Sequence, residues 1–248
     1  MIHSFLLIGQ SNMAGRGFLQ DALPVDTSRI KVLRNGRWQP MFRPINPDRP
    51  FSGVNLAESF AEQYAKQHDV EVGLICCADG GTTLDQWQKG EVLYDNAVAQ
   101  VKLAMRSSVL AGVLWHQGES DCKDSLYPTY QQRLKKMLTC LRADLQLPQI
   151  PVIIGGLPDF LSGCTIDPHV KNYRFINHAL TQTAASGSNM AFVPADGLQC
   201  NPDKLHICSA SLHEFGIRYW NAYESLGYSP CISGQLESTA AQTGIENL

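Results

Sequence analysis

Four short stretches carry the residues able to do chemistry. The first is GQSN at residues 9–12, where an apolar run ends in a serine, Ser11, between two amides, Gln10 and Asn12. The second, ADGGTTLDQW at 78–87, contains Gly80 and Gly81; the third, WHQGESD at 115–121, contains Gln117, Glu119 and Asp121. The fourth, NPDKLH at 201–206, sets Asp203 three positions before His206. A serine hydroxyl becomes a nucleophile when an imidazole takes its proton, and the imidazole needs an acceptor to fix its tautomer. Acyl transfer also needs N–H donors aimed at the oxyanion that develops in the transition state. A hydroxyl, glycine amides, a side-chain amide and an Asp/His pair are that set of parts.

Each part alone has an ordinary structural reading. Glycines after a strand make turns, a glutamine there bonds to backbone or water, and D-x-x-H can cap a helix or bind a metal. The cysteines show no zinc-like pairing with a histidine that would support a metal site. His116 is a rival base, but strand alternation points it away from Gln117 and assigns it to packing or support. The joint occurrence of the four parts is what points to a nucleophilic serine.

The elements that must position these parts follow from hydropathy. Five nearly continuous apolar runs, at 3–9, 70–78, 109–117, 150–157 and 190–196, predict strands covered on both faces. Between them, apolar residues at 3–4 spacing predict helices over 55–68, 91–107, 128–145, 171–185 and 211–226. Asn55 with Glu58, and Ser211 with Glu214, have the spacing of capping boxes, and Pro128 suits a first helical position. Strand–helix alternation repeated five times predicts a three-layer α/β/α, doubly wound, five-stranded parallel sheet of the flavodoxin-like kind. Ligands of such sheets bind beyond the carboxyl ends of the strands, where the four stretches fall.

Residues 16–52 interrupt the alternation. Asn35-Gly36 signals a two-residue hairpin turn within a small β-excursion rich in arginine (Arg29, Arg34, Arg37, Arg43, Arg49), with Trp38. The expected organisation is one catalytic domain over 1–228 with this excursion at 16–52, followed by a polar, aperiodic tail at 229–248.

Composition narrows the function classes. A formal charge of −3 over 248 residues gives no basic field for nucleic acid, and no run approaches a membrane span. The opening apolar run is too short and lacks the basic leader of a secretory signal. The eight cysteines show no C-x-x-C pair. These features predict a cytoplasmic protein with reduced thiols. Oligomeric state is left open.

Together GQSNMAG, GGTTLDQW, WHQGESD and the late DKLH resemble the SGNH hydrolases, and among them the branch of sialate O-acetylesterases and carbohydrate esterase family 6 acetylxylan esterases. The resemblance spans most of 3–226 and implies an SGNH fold. It implies Ser11 as nucleophile, Asp203 and His206 as acid and base, and an oxyanion hole from the Ser11 and Gly81 amides with the Gln117 side chain, Gly80 being the alternative glycine. Gln117 stands where the wider superfamily has Asn. Gln10, Asn12, Arg16, Gly80, Trp87 and Glu119 are candidates to bind substrate or support the site, and Asp85 and Trp38 could shape the pocket. The serine lacks a glycine two positions on, which disfavours the ordinary α/β-hydrolase elbow.

The implied activity is a serine esterase that removes O-acetyl groups from carbohydrates, with no metal or organic cofactor. The expected partner is a small acetylated sugar or oligosaccharide. Two alternatives stay open: a broad short-chain acyl esterase, and a non-catalytic carbohydrate-binding protein on the same fold. A P-loop or dinucleotide fingerprint is absent, which removes the nucleotide-binding reading of such a sheet.

Overall fold

In the computed structural model, which describes residues 1–230, β1 (Ile2–Gly9) turns at Gly9 into the single-turn α1 (Ser11–Ala14). A hairpin follows, β2 (Ile30–Arg34) and β3 (Arg37–Pro40), then α2 (Ala57–His68) and β4 (Glu71–Cys76). The rest alternates: α3 (Val92–Ala104), β5 (Ser108–His116), α4 (Tyr130–Asp144), β6 (Val152–Gly155), α5 (Tyr173–Ser186), β7 (Met190–Val193) and α6 (Ser209–Glu224).

The sheet has seven strands in the order β3-β2-β4-β1-β5-β6-β7, not the five expected. β2 pairs in parallel with β4 through Ile30–Val32, so the hairpin extends the main sheet, and only β3 runs antiparallel. Asn35 and Gly36 both have positive φ, 51° and 72°, as the predicted tight turn requires. The expected tail beyond Pro230 lies outside the described residues.

Period-2 alternation sorts the strand side chains into two cores. Leu6 and Ile8 of β1, Trp115 of β5 and Val152 and Ile154 of β6 pack with α3, α4 and α5. Phe5 and Leu7, Leu74 of β4, Leu114 and Ile153 pack on the other face with α2 and α6. The helices lie as predicted to within about two residues at most ends. At α2 half of the expected capping box forms: the Asn55 N–H donates to Glu58 Oε1 (3.0 Å), but Asn55 Oδ1 accepts from the Ala57 N–H (2.8 Å) and not from that of Glu58. The Ser211–Glu214 pair does not form: α6 begins earlier, Ser211 Oγ accepts from the Gln199 N–H (2.8 Å), and Glu214 pairs with Arg218.

β1 is the centre of the sheet, between β4 and β5. Its last residue must be glycine: at φ +137°, a Cβ on Gly9 would sit 2.0 Å from the His116 carbonyl oxygen. That close approach ends β1 and β5 side by side and sets Ser11 next to the residues that follow His116.

Candidate active site

Ser11 Oγ lies 3.0 Å from His206 Nε2, and His206 Nδ1 lies 2.7 Å from Asp203 Oδ2. The second Asp203 oxygen accepts from the N–H groups of Leu205 and His206, both at 2.9 Å. Lys204, at φ 53°, curls the chain so that both N–H groups return to that carboxylate. Burial alone would raise the Asp203 pKa, but the two backbone N–H groups and the imidazole outweigh it and hold it below the ordinary value. Ionised, Asp203 can only accept, so Nδ1 carries the shared proton and Nε2 presents a lone pair to the Ser11 hydroxyl.

The glycine loop is held from beneath. Asp48 Oδ2 accepts from the Gly80 N–H (2.8 Å) and pairs with Arg16 (2.6 Å), while Asp48 Oδ1 accepts from Ser52 (2.7 Å). The Gly80 N–H is thereby occupied. Gly81, at φ +79°, lines the pocket, and its N–H bonds to no described residue. The Ser11 N–H is likewise unengaged among the described residues.

Gln117 is fully buried and stands behind the pocket instead of on its wall. Its Nε2 faces three acceptors: Asp121 Oδ2 (2.7 Å), Thr82 O (3.0 Å) and Gln10 Oε1 (3.1 Å). Its Oε1 accepts from the Tyr130 hydroxyl (2.9 Å). Both N–H groups expected to face an oxyanion thus point into the protein. The other supporting candidates divide. Gln10, Arg16, Gly80 and Glu119 line the pocket. Asn12, fully buried, ties three segments together: Nδ2 donates to Glu119 Oε1 (2.7 Å) and Leu205 O (3.3 Å), and Oδ1 accepts from the Ile207 N–H (3.0 Å).

Trp87 lies in the core, its Nε1 on Thr82 Oγ1 (3.1 Å), and Asp85 pairs with Arg133 (2.7 Å) on the surface. Trp38 covers Gly73 of β4 and donates to Ser107 Oγ (3.2 Å), far from the pocket. His116 is buried, which lowers its pKa and keeps it neutral; its Nε2 meets Gly156 O (3.1 Å), a packing role. Among the described residues no group of three His, Cys, Asp or Glu could hold a metal ion.

The pocket has a volume of about 480 Å³. Phe51, Lys123, Asp167 and Val170 complete its wall, and sequence reasoning missed them because they lie outside the four stretches. Arg49, noted only as part of an arginine-rich run, also lines it and pairs with Asp79 (2.9 Å).

A family model described as "Carbohydrate esterase, sialic acid-specific acetylesterase" matches residues 1–225. The chain belongs to this carbohydrate esterase family. A family relative in Arabidopsis thaliana, described as a probable carbohydrate esterase, is 28% identical over 89% of this chain and 90% of its own length. The crystal structure of that Arabidopsis protein superposes with a TM-score of 0.79, covering 90% of this chain and 98% of the other. A carbohydrate acetylesterase from Xanthomonas citri is 18% identical with a TM-score of 0.67, over 91% of this chain and 56% of its own. A lipase/acylhydrolase from Enterococcus faecalis is 15% identical with a TM-score of 0.58, over 93% of this chain and all (100%) of the other. These last two likenesses are of fold: the family shares its mostly parallel sheet flanked by helices with the SGNH/GDSL hydrolases.

Proposed function

We propose that this carbohydrate esterase family member is a serine esterase that removes O-acetyl groups from sugars through an acyl-enzyme. The observation that carries the reading is the Asp203–His206–Ser11 chain of contacts, 2.7 and 3.0 Å, opening onto the pocket. Ser11 Oγ attacks the acetyl carbonyl carbon as its proton passes to His206 Nε2, and Asp203 stabilises the imidazolium. The tetrahedral intermediate collapses by breaking the bond between carbonyl carbon and sugar oxygen. His206 hands its proton to that oxygen, and the sugar leaves with a free hydroxyl. Water, deprotonated by His206, then attacks the acetyl-serine; acetate departs and the proton returns to Ser11.

The wall chemistry agrees with a sugar ester. Arg49, Lys123 and Asp167 supply polar and charged groups, and Phe51 an apolar face for a pyranose ring. A pocket of about 480 Å³ falls within the roughly 300–1,000 Å³ of small-molecule sites, so a single acetylated unit, free or at a chain end, is the proposed occupant.

The test is acetate release from O-acetylated sialic acids and acetylated xylo-oligosaccharides, set beside simple p-nitrophenyl esters of increasing chain length. Turnover concentrated on one sugar class supports the reading. Equal turnover of short-chain esters without sugar preference replaces it with a general esterase, and no hydrolysis of any ester leaves a binding protein.

A further inference from the structure

Gly80 and Gly81 are joined by a trans peptide bond, so the Gly80 carbonyl and the Gly81 N–H point in opposite directions. Whatever holds that carbonyl decides where the N–H goes. The holder is Arg49. Its Nη2 donates one hydrogen to Gly80 O (3.0 Å) and the other to Asp79 Oδ1 (2.9 Å), while Nη1 donates to Asp48 O (2.7 Å). The turn leading up to this peptide is engaged throughout. The Asp79 N–H donates to Gly9 O (3.0 Å), Asp79 O accepts from Thr82 Oγ1 (2.8 Å), and the Gly80 N–H donates to Asp48 Oδ2 (2.8 Å). The Gly81 N–H is the first backbone donor after β4's end at the site with no partner among the described residues.

A peptide between two glycines is the easiest in a chain to turn over, because neither residue has a Cβ and both signs of φ are open. A Cβ on Gly81 would meet nothing within 4 Å, so no packed neighbour holds the plane from that side. Turned over, the peptide would present a carbonyl oxygen where a developing oxyanion needs a donor. Hydrogen bonds alone resist that turn, and among the described residues the one made to this peptide is the charge-assisted bond from Arg49.

We propose that Arg49 is a positioning residue whose guanidinium latches the Gly80 carbonyl, so that the Gly81 N–H faces the pocket as an oxyanion donor. The inference rests on the esterase reading and on Ser11 as nucleophile. A positive charge at the carbonyl oxygen also polarises the peptide and makes its N–H the stronger donor. Arg49 lines the pocket as well, so direct contact with the sugar is the competing role.

Arg49→Met removes the latch and keeps an apolar stem of similar length. The informative substrate is p-nitrophenyl acetate, which carries no sugar for a wall residue to hold. On it kcat is expected to fall about 10–100-fold with KM little changed, short of the roughly 10²–10³-fold lost when a donor is removed outright. Affinity for methylboronic acid, which forms a tetrahedral anion on an active serine, should fall by the same factor. Arg49→Lys, whose ammonium can still donate to the carbonyl, should recover part of the loss.

An Arg49→Met protein that keeps kcat within threefold overturns the proposal, and a raised KM confined to acetylated sugars would make Arg49 a sugar-binding residue instead. A kcat loss without weaker boronate binding overturns it as well. Ser11→Ala is the control on the underlying reading. Full turnover by Ser11→Ala removes the nucleophile itself, whereas an inactive Ser11→Ala beside an unimpaired Arg49→Met removes the latch alone.

A crystal structure of the unmutated protein with methylboronic acid needs no variant to fold. A boronate oxygen about 2.7–3.1 Å from the Gly81 nitrogen, with Arg49 still on the Gly80 carbonyl, supports the latch. A peptide turned over, or a boronate oxygen bound without the Gly81 N–H, overturns it.

Discussion

Asn12 and Glu119 meet through a 2.7 Å hydrogen bond between α1, which follows β1, and the turn that follows β5, with both side chains buried. The same Asn12 amide accepts from Ile207 and donates to Leu205, the residues on either side of His206. One side chain therefore sets the distance from the proposed nucleophile to its base.

Asn12→Ala should cost about 1.5–3 kcal/mol of stability, because it removes a hydrogen bond to a buried carboxylate and orphans its partners. It should also lower kcat more than it raises KM, since His206 is held through its neighbours. Denaturant titration and steady-state kinetics on one preparation measure both. A variant of normal kcat would show that the His206 loop holds its place without Asn12.

Asp203→Asn replaces the acceptor at His206 Nδ1 with a group that can also donate, which favours the wrong imidazole tautomer. The rate is expected to fall by up to about 10⁴-fold. Glu119→Gln, by contrast, keeps an oxygen for Asn12, and Glu119 makes no hydrogen bond to His206, so its rate loss should be small. If Asp203→Asn keeps its rate and Glu119→Gln loses it, the roles are reversed.

Asp48 offers a pH signature. Burial alone would raise its pKa, but hydrogen bonds from Arg16, Ser52 and Gly80 outweigh burial and depress it. A depressed folded value means that the stabilisation is fully present above the unfolded Asp value of about 3.9 and is lost as pH falls through the lower folded value. Asp48→Asn leaves a buried guanidinium without its counter-charge, at a cost of about 3–5 kcal/mol near neutral pH. The stability gap between the two proteins should hold from pH 7 to about pH 5 and narrow below about pH 4. A gap independent of pH would mean that Asp48 acts through shape alone.

Gly80→Ala and Gly81→Ala should differ although the residues are adjacent. A Cβ on Gly80 would lie 2.4 Å from Arg16 Nη2 and 3.0 Å from Asp48 Oδ2, breaking into the buried ion pair. A Cβ on Gly81 meets nothing within 4 Å, so its cost is the positive φ alone, about 1–2 kcal/mol. Thermal denaturation that ranks Gly81→Ala as the more damaging change would contradict this geometry.

The five-strand core was legible because buried parallel strands are written as continuous apolar runs. β2 reads in sequence as part of an excursion because its partner is β4, and the pairing with Ile30–Val32 is set by the tertiary fold and leaves no local pattern. The Ser211–Glu214 spacing misled for a related reason: a distant backbone N–H, that of Gln199, captures the serine. Ser11 stands just past a strand end and Asp203 and His206 in the loop after the last strand, and the structure brings the three side chains within hydrogen-bond distance. The direction of Gln117 was not legible, because spacing locates a Cα and says nothing of which acceptors surround an amide. Asp48 and Phe51 left no signal, since neither belongs to a pattern until the loop folds under the glycines.

The central place of β1 has a consequence for biosynthesis. The strand that leads into Ser11 is synthesised before its neighbours: β1 ends at Gly9, whereas β4 and β5 begin only at Glu71 and Ser108. At roughly 5–20 residues per second, β1 spends on the order of 3–12 s without its first parallel neighbour, a period in which an apolar strand is open to wrong pairings. Any nascent chain that stops before His206 also carries Ser11 without its proposed base. Products of termination before His206 would therefore expose an apolar strand and lack the proposed Ser11–His206 contact.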